Sequence, residues 1–358
     1  MRIVHVILSR GFAGSERSTA ESCNAQCAEH ELLLVVRRSH TSRSGLSILE
    51  HVDARVRVAV VPDRWFTRRR IASELAAFAP DVIHTHLRRA TRLVTQIRPR
   101  AATIATLHLN VNGPQFLELD GLICNAYWQQ REIPASYPGL VFKLENSLTP
   151  HRRLAPDEIV ALRRELGAGP GEFLVGGVGR LAYSKGWDTL ILAFERAHPP
   201  NARLAILGEG RERRRLARLA RRAGTRVLLA GFRRNVKDYY QALDLFVCPS
   251  RREPLPRVIL EALDGGVPVV ASTADGCREL LERYPGDLFP VEDVEALAAL
   301  LARHAAEPVG RRTVDLSAHH VAAVNRSILA AYRAVIAQRA TRAAPDTRTA
   351  GATTAGGG

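Results

Sequence analysis

Lysine is nearly missing from this chain. Of 51 basic residues only Lys143, Lys185 and Lys237 are lysines; the rest are arginine. Wherever either cation serves, this sequence writes arginine, so a lysine inside a glycine-rich motif marks a place that wants a compact ammonium. Cysteine is also scarce. There are five, an odd number, with no Cys-x-x-Cys pair, and Cys23 and Cys27 have no histidine nearby in a ligand-like pattern. That excludes a zinc framework or a disulfide scaffold, and reduced thiols fit a cytoplasmic protein. No apolar run approaches the ~20 residues of a membrane span. The longest, such as LEALDGGVPVVAS at 260–272, are broken by charge and glycine. The opening MRIVHVIL reads as a buried first strand and not as a signal peptide. There is no Gly-x-Gly-x-x-Gly fingerprint, no Asp-x-Asp at a strand end and no fixed-period repeat.

What is present is an ordinary soluble balance, 46% hydrophobic and 24% charged, which excludes wholesale disorder. At roughly 150 residues per domain, 358 residues suggest two domains. Strand-like runs at 2–8, 32–36, 55–61, 81–86, 103–108 and 121–124 alternate with helical stretches at 15–29, 67–79, 87–97 and 126–133. The rhythm repeats, with strands at 173–179, 203–208, 226–231, 244–249 and 267–272. The helices of this half fall near 156–166, 186–198, 210–223, 235–242, 257–265 and 292–305. Such alternation predicts α/β architecture, two doubly wound parallel sheets covered on both faces. The expected units are 1–150, 151–315, a long helix over 316–338 packing back on the first unit, and a small, polar, glycine-rich tail at 339–358 read as disordered.

In open α/β sheets ligands bind beyond the carboxyl ends of strands. After the first strand, Gly11-Phe-Ala-Gly14-Ser15-Glu16 opens a helix, where backbone N–H groups and the helix dipole suit an anion; a plain turn capped by Ser15 fits the same residues. In the second half, Gly179-Arg180-Leu181 is followed by Ser184-Lys185-Gly186. An arginine and one of the rare lysines, five residues apart at a strand-to-helix junction, suit a diphosphate. Gly208-Glu209-Gly210 and Gly231 follow two further strands. The strongest signal is DLFVCPSRREPLPRVILEALDGGVPVVAS at 244–272, in which Glu253 and Glu261 stand eight residues apart. If the segment between them is mostly helical, they are separated by at most ~12 Å along the axis, within the span of one extended nucleotide. Lys237 is read as lying in an exposed turn.

These residues resemble family four of the retaining glycosyltransferases: Gly14-Ser-Glu16, DVIHTH at 81–86, GRLxxxKG at 179–186, LGEG at 207–210 and PSxxEx7EAxxxGxPVVAS at 249–272. The likeness spans about residues 1–305. It implies a GT-B fold, two Rossmann-like domains facing each other across a cleft. It further implies that Arg180 and Lys185 grip the diphosphate of a nucleotide-sugar donor, that Glu261 holds the ribose, and that Glu253 faces the donor sugar. A histidine after a first-domain strand lies close to that sugar, and TLH places His108 there; His84 is then core and His86 a rim residue. Two departures stand out. Pro256 replaces a common glycine within Glu253-Pro-Leu-Pro-Arg, and proline has no N–H, so Leu255, Arg257 and Val258 are the only backbone donors left there. Asp264 stands where a small apolar residue is usual.

The net charge is +15. Arg68-Arg69-Arg70 follow Trp65-Phe66, and Arg88, Arg89, Arg92, Arg98 and Arg100 crowd the next helical stretch, a composition that suits peripheral contact with an anionic membrane. The resulting expectation is a cytoplasmic, metal-independent transferase without cofactor, peripheral at the inner face of the plasma membrane. Its substrates would be a nucleotide-diphosphate sugar and a glycan or lipid-linked acceptor of the cell envelope, such as lipopolysaccharide. A sugar-nucleotide epimerase on the same fold is the alternative chemistry. A nucleic-acid-binding protein is the alternative class, and it is disfavoured by 6% aromatics and the lack of a nucleic-acid signature.

Overall fold

The computed structural model describes residues 1–41, 47–222 and 224–343. The first sheet contains β1 (Arg2–Ile7), β2 (Glu31–Arg37), β3 (Arg57–Val61), β4 (Val82–His86), β5 (Ala102–Leu107), β6 (Gly121–Cys124) and β7 (Leu140–Lys143), in the order β3-β2-β1-β4-β5-β6-β7. Between them run α1 (Gly14–Gln26), α2 (Thr67–Phe78), α3 (Leu87–Ile97) and α4 (Tyr127–Arg131). The second sheet contains β8 (Phe173–Val178), β9 (Ala202–Leu207), β10 (Val227–Gly231), β11 (Leu245–Cys248), β12 (Val269–Ser272) and β13 (Asp287–Phe289), in the order β10-β9-β8-β11-β12-β13. Around it lie α5 (Pro156–Glu165), α6 (Trp187–Ala197), α7 (Arg213–Arg222), α8 (Val236–Tyr240), α9 (Arg257–Asp264), α10 (Asp275–Leu281) and α11 (Val294–Ala306). All strand pairings are parallel, and both sheets reverse order beside their first strand, which creates a crevice between β1 and β4 and another between β8 and β11.

Alternation along β1 divides the first lobe's core. Ile3 and Ile7 pack with Ala20 and Cys23 of α1, while Val4 and Val6 pack with Ile71, Leu75 and Val94 of α2 and α3. His5 therefore shares the α1 face with Ile3 and Ile7. Its direct neighbour across the ladder is His84, and Ile7 pairs with His86. The last helix, α12 (Val321–Ala343), returns to the same face, with Tyr332 and Val335 fully buried there.

Several expectations need correction. The last helix begins at Val321, not at 316, and runs through 339–343, so those residues are helical. Arg339 pairs with Asp120 at 2.7 Å and caps the carbonyls of Pro99 and Arg100. The remainder of the expected tail, 344–358, lies outside the described residues. Strands β7 and β13 and helix α10 were not anticipated; at four, three and seven residues they are too short for periodicity to register. Among the described residues no helix is long and apolar enough to cross a membrane.

Candidate functional site

The second lobe's wall is built on the loops after β8 and β11. Gly186 has φ +65°, and a side chain there would meet the Pro249 carbonyl at 2.0 Å, so only glycine lets the Lys185 turn lie against the β11 loop. Lys185 Nζ contacts the Glu253 carboxylate directly, and Ser250 Oγ donates to the same carboxylate at 3.0 Å. Burial would push the Lys185 ammonium down, but the Glu253 charge outweighs it and holds the pKa above the ordinary lysine range. Arg251, which the motif analysis passed over, ties the two loops together. It donates to Asp188 at 2.9 and 3.0 Å and to the Tyr183 carbonyl at 2.6 Å, and lies 4.1 Å over the Tyr183 ring. Arg180 sits just past β8 with an exposed side chain. Glu253 lies in the loop and not on the helix; α9 starts only at Arg257, with Pro256 as its cap.

Glu261 faces the cleft from the second turn of α9 and is only 2% exposed. It accepts from Tyr240 Oη at 3.0 Å and, from the other lobe, from Arg17 at 3.0 Å. Arg257, expected to contribute its backbone N–H, also sends its guanidinium across to Glu21 at 2.8 and 2.9 Å. Burial alone would raise the Glu21 pKa, yet Arg257 and the Ser147 hydroxyl bring it below the ordinary value. The Pro254–Leu255 segment is clamped from the first lobe as well. Trp128 Nε1 donates to the Pro254 carbonyl at 2.9 Å, and Asn146 Nδ2 to that of Leu255 at 2.8 Å. Val258 follows Arg257 in the first turn of α9. Asp264, at the end of α9, accepts from the His151 amide at 2.6 Å and from the fully buried His151 ring. The unusual acid thus anchors the connection between the lobes.

Lys237 is not in an exposed turn. It lies half-buried on α8, donates to the Thr149 carbonyl at 2.7 Å, and feels both Glu261 and Glu21; burial pushes its ammonium below the ordinary lysine value.

The first lobe's wall carries Gly14 and the histidines. Gly14 begins α1 and is exposed, and nothing lies within 4 Å of where a side chain would be. The anion expected at this helix start is in part supplied by the chain itself, since the Glu16 carboxylate accepts the Ala13 N–H at 2.8 Å and the Ser15 hydroxyl at 3.0 Å. His108 stands just past β5, partly exposed, and feels Glu16 and, from the other lobe, Arg257. Desolvation pushes its pKa down to about 4. Its Nε2 lies 3.1 Å from His86 Nδ1. His86, expected at the rim, is buried beneath it at 3% exposure. His86 Nε2 lies 3.0 Å from His5 Nδ1, and His5 Nε2 lies 2.9 Å from Gln26 Oε1. His84 is core as expected, held by Tyr332 Oη at 2.6 Å and Thr106 Oγ1 at 2.8 Å.

The imidazoles of His5, His84 and His86 are close enough together to hold a metal ion. Each of their nitrogens, however, already faces a hydrogen-bond partner, so the donor set is spent on the network. A small cavity of about 30 Å³ lies beside His84 and His86. A larger one, about 210 Å³, is lined by residues at the amino ends of β12 and β13, the wrong edge of the sheet for the cleft.

Residues missed in the sequence, notably Arg17, Glu21, Trp128 and Asn146, all act across the cleft. Arg17 and Glu21 had one readable cue: they sit four apart on the helix that follows the first crevice-forming strand.

Residues 172–307 match the family described as Glycosyl transferases group 1. The lipopolysaccharide core biosynthesis glycosyltransferase LpsD of Rhizobium meliloti is 27% identical over 329 residues, 88% of this chain and 91% of LpsD. The 2-deoxystreptamine N-acetyl-D-glucosaminyltransferase of Streptomyces fradiae is 32% identical over 212 residues, covering 56% of this chain and 48% of that enzyme. With this and other curated relatives the chain aligns over half or less of their length. Among solved structures, Anabaena HepE in complex with UDP and glucose superposes with a TM-score of 0.73 at 21% identity, over 96% of this chain and 99% of HepE. Sucrose-phosphate synthase from Thermosynechococcus elongatus does so with a TM-score of 0.69 at 19% identity, over 96% and 98%. The shared fold is GT-B, two parallel-sheet lobes facing across a cleft.

Proposed function

We propose that this chain, whose fold is GT-B, is a group 1 glycosyltransferase that transfers a sugar, with retention, from a nucleotide-diphosphate sugar to a glycan or lipid-linked acceptor of the cell envelope. The relatives in lipopolysaccharide core biosynthesis support the acceptor class. The observation that carries the reading is the Lys185–Glu253 pair at the β8–β11 crevice, with Glu261 on the helix that follows. In this reading the one cation and two carboxylates serve the diphosphate, the sugar and the ribose of a single nucleotide sugar.

In this reading Arg180 and Lys185 meet the diphosphate, helped by the α9 start at Arg257 and Val258 beside Leu255. Glu261 takes the ribose diol, and Gly14 gives the donor room at the α1 start. Glu253 and His108 face the sugar from opposite lobes. The bond from the sugar's anomeric carbon to the diphosphate breaks, and a bond to the acceptor oxygen forms on the same face. The acceptor's proton leaves with the nucleoside diphosphate. Lys185 and Arg180 oppose the negative charge that grows on the diphosphate, and Glu253 opposes the positive charge on the sugar. Those two cations make a divalent metal unnecessary, so transfer persists in EDTA; a strict Mg²⁺ or Mn²⁺ requirement contradicts this.

The membrane belongs to the same proposal. Trp65 and Phe66 are 80% and 70% exposed, and Arg68, Arg69 and Arg70 follow in the first turn of α2, a composition suited to an anionic bilayer surface. The protein then works from the cytoplasmic face.

The test is thermal unfolding with UDP, GDP, ADP and their sugars. A nucleotide at 100 times its dissociation constant should add about 2.7 kcal/mol. Stabilisation by one base, and by its sugar conjugate, is expected; no response to any nucleotide overturns the reading.

A further inference from the structure

The histidines behind His108 form a single file across the first lobe. From the interior outward the order is Gln26 Oε1, His5, His86 and His108, with successive heavy-atom contacts of 2.9, 3.0 and 3.1 Å. They come from three strands and one helix: His5 from within β1, His86 from the end of β4, His108 just past β5, Gln26 from the last turn of α1. All but His108 are fully buried or nearly so.

A neutral imidazole has one N–H and one lone pair. A file of three imidazoles therefore admits only two proton orders. In one, every Nε2 carries the proton: His5 donates to Gln26, His86 to His5, and His108 to His86. In the other, every Nδ1 carries it, and the interior end must supply a donor to His5 Nε2. In the amide orientation present, Gln26 turns its Oε1 to His5 and can only accept there, while its Nε2 is buried without a hydrogen-bond partner among the described residues. The first order is the consistent one, and it leaves His108 Nδ1 as a lone pair with no partner among the described residues. Burial disfavours a charge anywhere in the row, pushing His5 and His108 down to about 4, and burial together with the neighbouring imidazoles holds His84 and His86 well below the ordinary value. His84 stands beside the file but is tied to two hydroxyls, each able to donate or accept, so it imposes no order.

We propose that Gln26, His5 and His86 are positioning residues that fix His108 in the neutral tautomer with Nε2–H turned inward and the Nδ1 lone pair offered to the cleft, as an acceptor for a substrate hydroxyl. The hydroxyl-bearing substrate rests on the transferase reading above; the tautomer itself does not. A group that can only accept at this point selects a sugar hydroxyl over an ether, a carbonyl or a deoxy position.

The experiment reads the tautomer directly, in the full chain without substrate, by long-range ¹H–¹⁵N NMR of histidine-labelled protein. The His108 signals are assigned by their loss in His108→Gln. Wild type should show His108 protonated at Nε2 and bare at Nδ1. Gln26→Met, which removes the interior acceptor at similar size, should convert the His108 signals to a tautomer mixture. Gln26→Glu, read at a pH where its carboxylate is ionised and so accepts without donating, should restore the wild-type pattern, and Thr106→Val, which touches only His84, should not change it. With a donor in hand, Gln26→Met should lower kcat about tenfold with KM nearly unchanged, and Gln26→Glu should recover most of it. A wild-type His108 protonated at Nδ1 overturns the proposal even if every variant fails to fold. So does an unchanged His108 tautomer in a folded Gln26→Met. Absence of any transfer activity would count against the transferase reading and leave the tautomer result standing.

Discussion

Arg17 on α1 donates to the buried Glu261 on α9 at 3.0 Å, and one turn further along α1 and one turn back along α9 the polarity reverses, with Arg257 on α9 donating to Glu21 on α1 at 2.8 Å. The spacing is four residues on both helices, so the two lobes meet through a crossed pair of ion pairs across the cleft. If Glu261 serves the ribose, the contact that holds the lobes together also occupies the nucleotide's anchor.

This arrangement makes a stability prediction. Arg17→Met leaves Glu261 buried with Tyr240 as its remaining partner, and an unpaired buried charge is costly. Arg17 is itself 30% exposed, which tempers the loss to about 2 kcal/mol. The double change Arg17→Met with Glu261→Gln should recover much of it in denaturant titrations. Additive losses would show that the two residues are not coupled.

Lysine substitutions separate the diphosphate site from its surroundings. Lys185→Ala should lower turnover about a hundredfold, ~3 kcal/mol, because in the proposed reading the ammonium meets the growing charge on the leaving group. Lys237→Ala should weaken donor binding several-fold with turnover kept, since Lys237 lies near Glu261 and Glu21. Arg218, exposed on α7, serves as the neutral control. Equal, small losses at Lys185 and Arg218 would mean the phosphate site is misplaced.

The pH profile of stability follows from the buried imidazoles. His5 and His108 titrate at about 4 in the folded chain against an ordinary 6.5, so the unfolded chain takes up protons first as pH falls. Their stabilisation is complete above about pH 6.5 and is lost on the way down to about 4. His5 alone should contribute a loss of about 2 kcal/mol between pH 7 and pH 5. Urea midpoints measured over that range should fall steeply in wild type and less so in His5→Asn. A flat profile down to pH 5 would contradict the neutral, buried row.

The stretch 244–272 was legible because its chemistry is local: a strand end, a loop acid, and a second acid on the helix that follows. The glycine-lysine junction at 179–186 was legible for the same reason. What stayed hidden was made by the fold. Arg17 meets Glu261 only because two crevices face each other, 244 residues apart in sequence. His5 reads as one more polar residue in an apolar strand; only the β1–β4 register, which sets it beside His84 and below His86, makes it part of a file. Lys237 looked exposed because its five-residue helix has no periodicity to reveal that one side faces the cleft. Asp264 looked like a defect in the motif until His151, 113 residues away, supplied its partner.

Glu253 and Glu261 divide the work of the proposed site. Donor dissociation constant and turnover should be measured for Glu253→Gln, Glu261→Gln and His108→Ala. Glu261→Gln should mainly weaken donor binding, because a ribose contact is made in ground and transition states alike. Glu253→Gln and His108→Ala should lower turnover with nucleotide affinity little changed, because in the proposed reading both face the sugar where charge develops. If Glu253→Gln abolishes nucleotide binding while Glu261→Gln leaves both quantities unchanged, the assignment of the two carboxylates is contradicted.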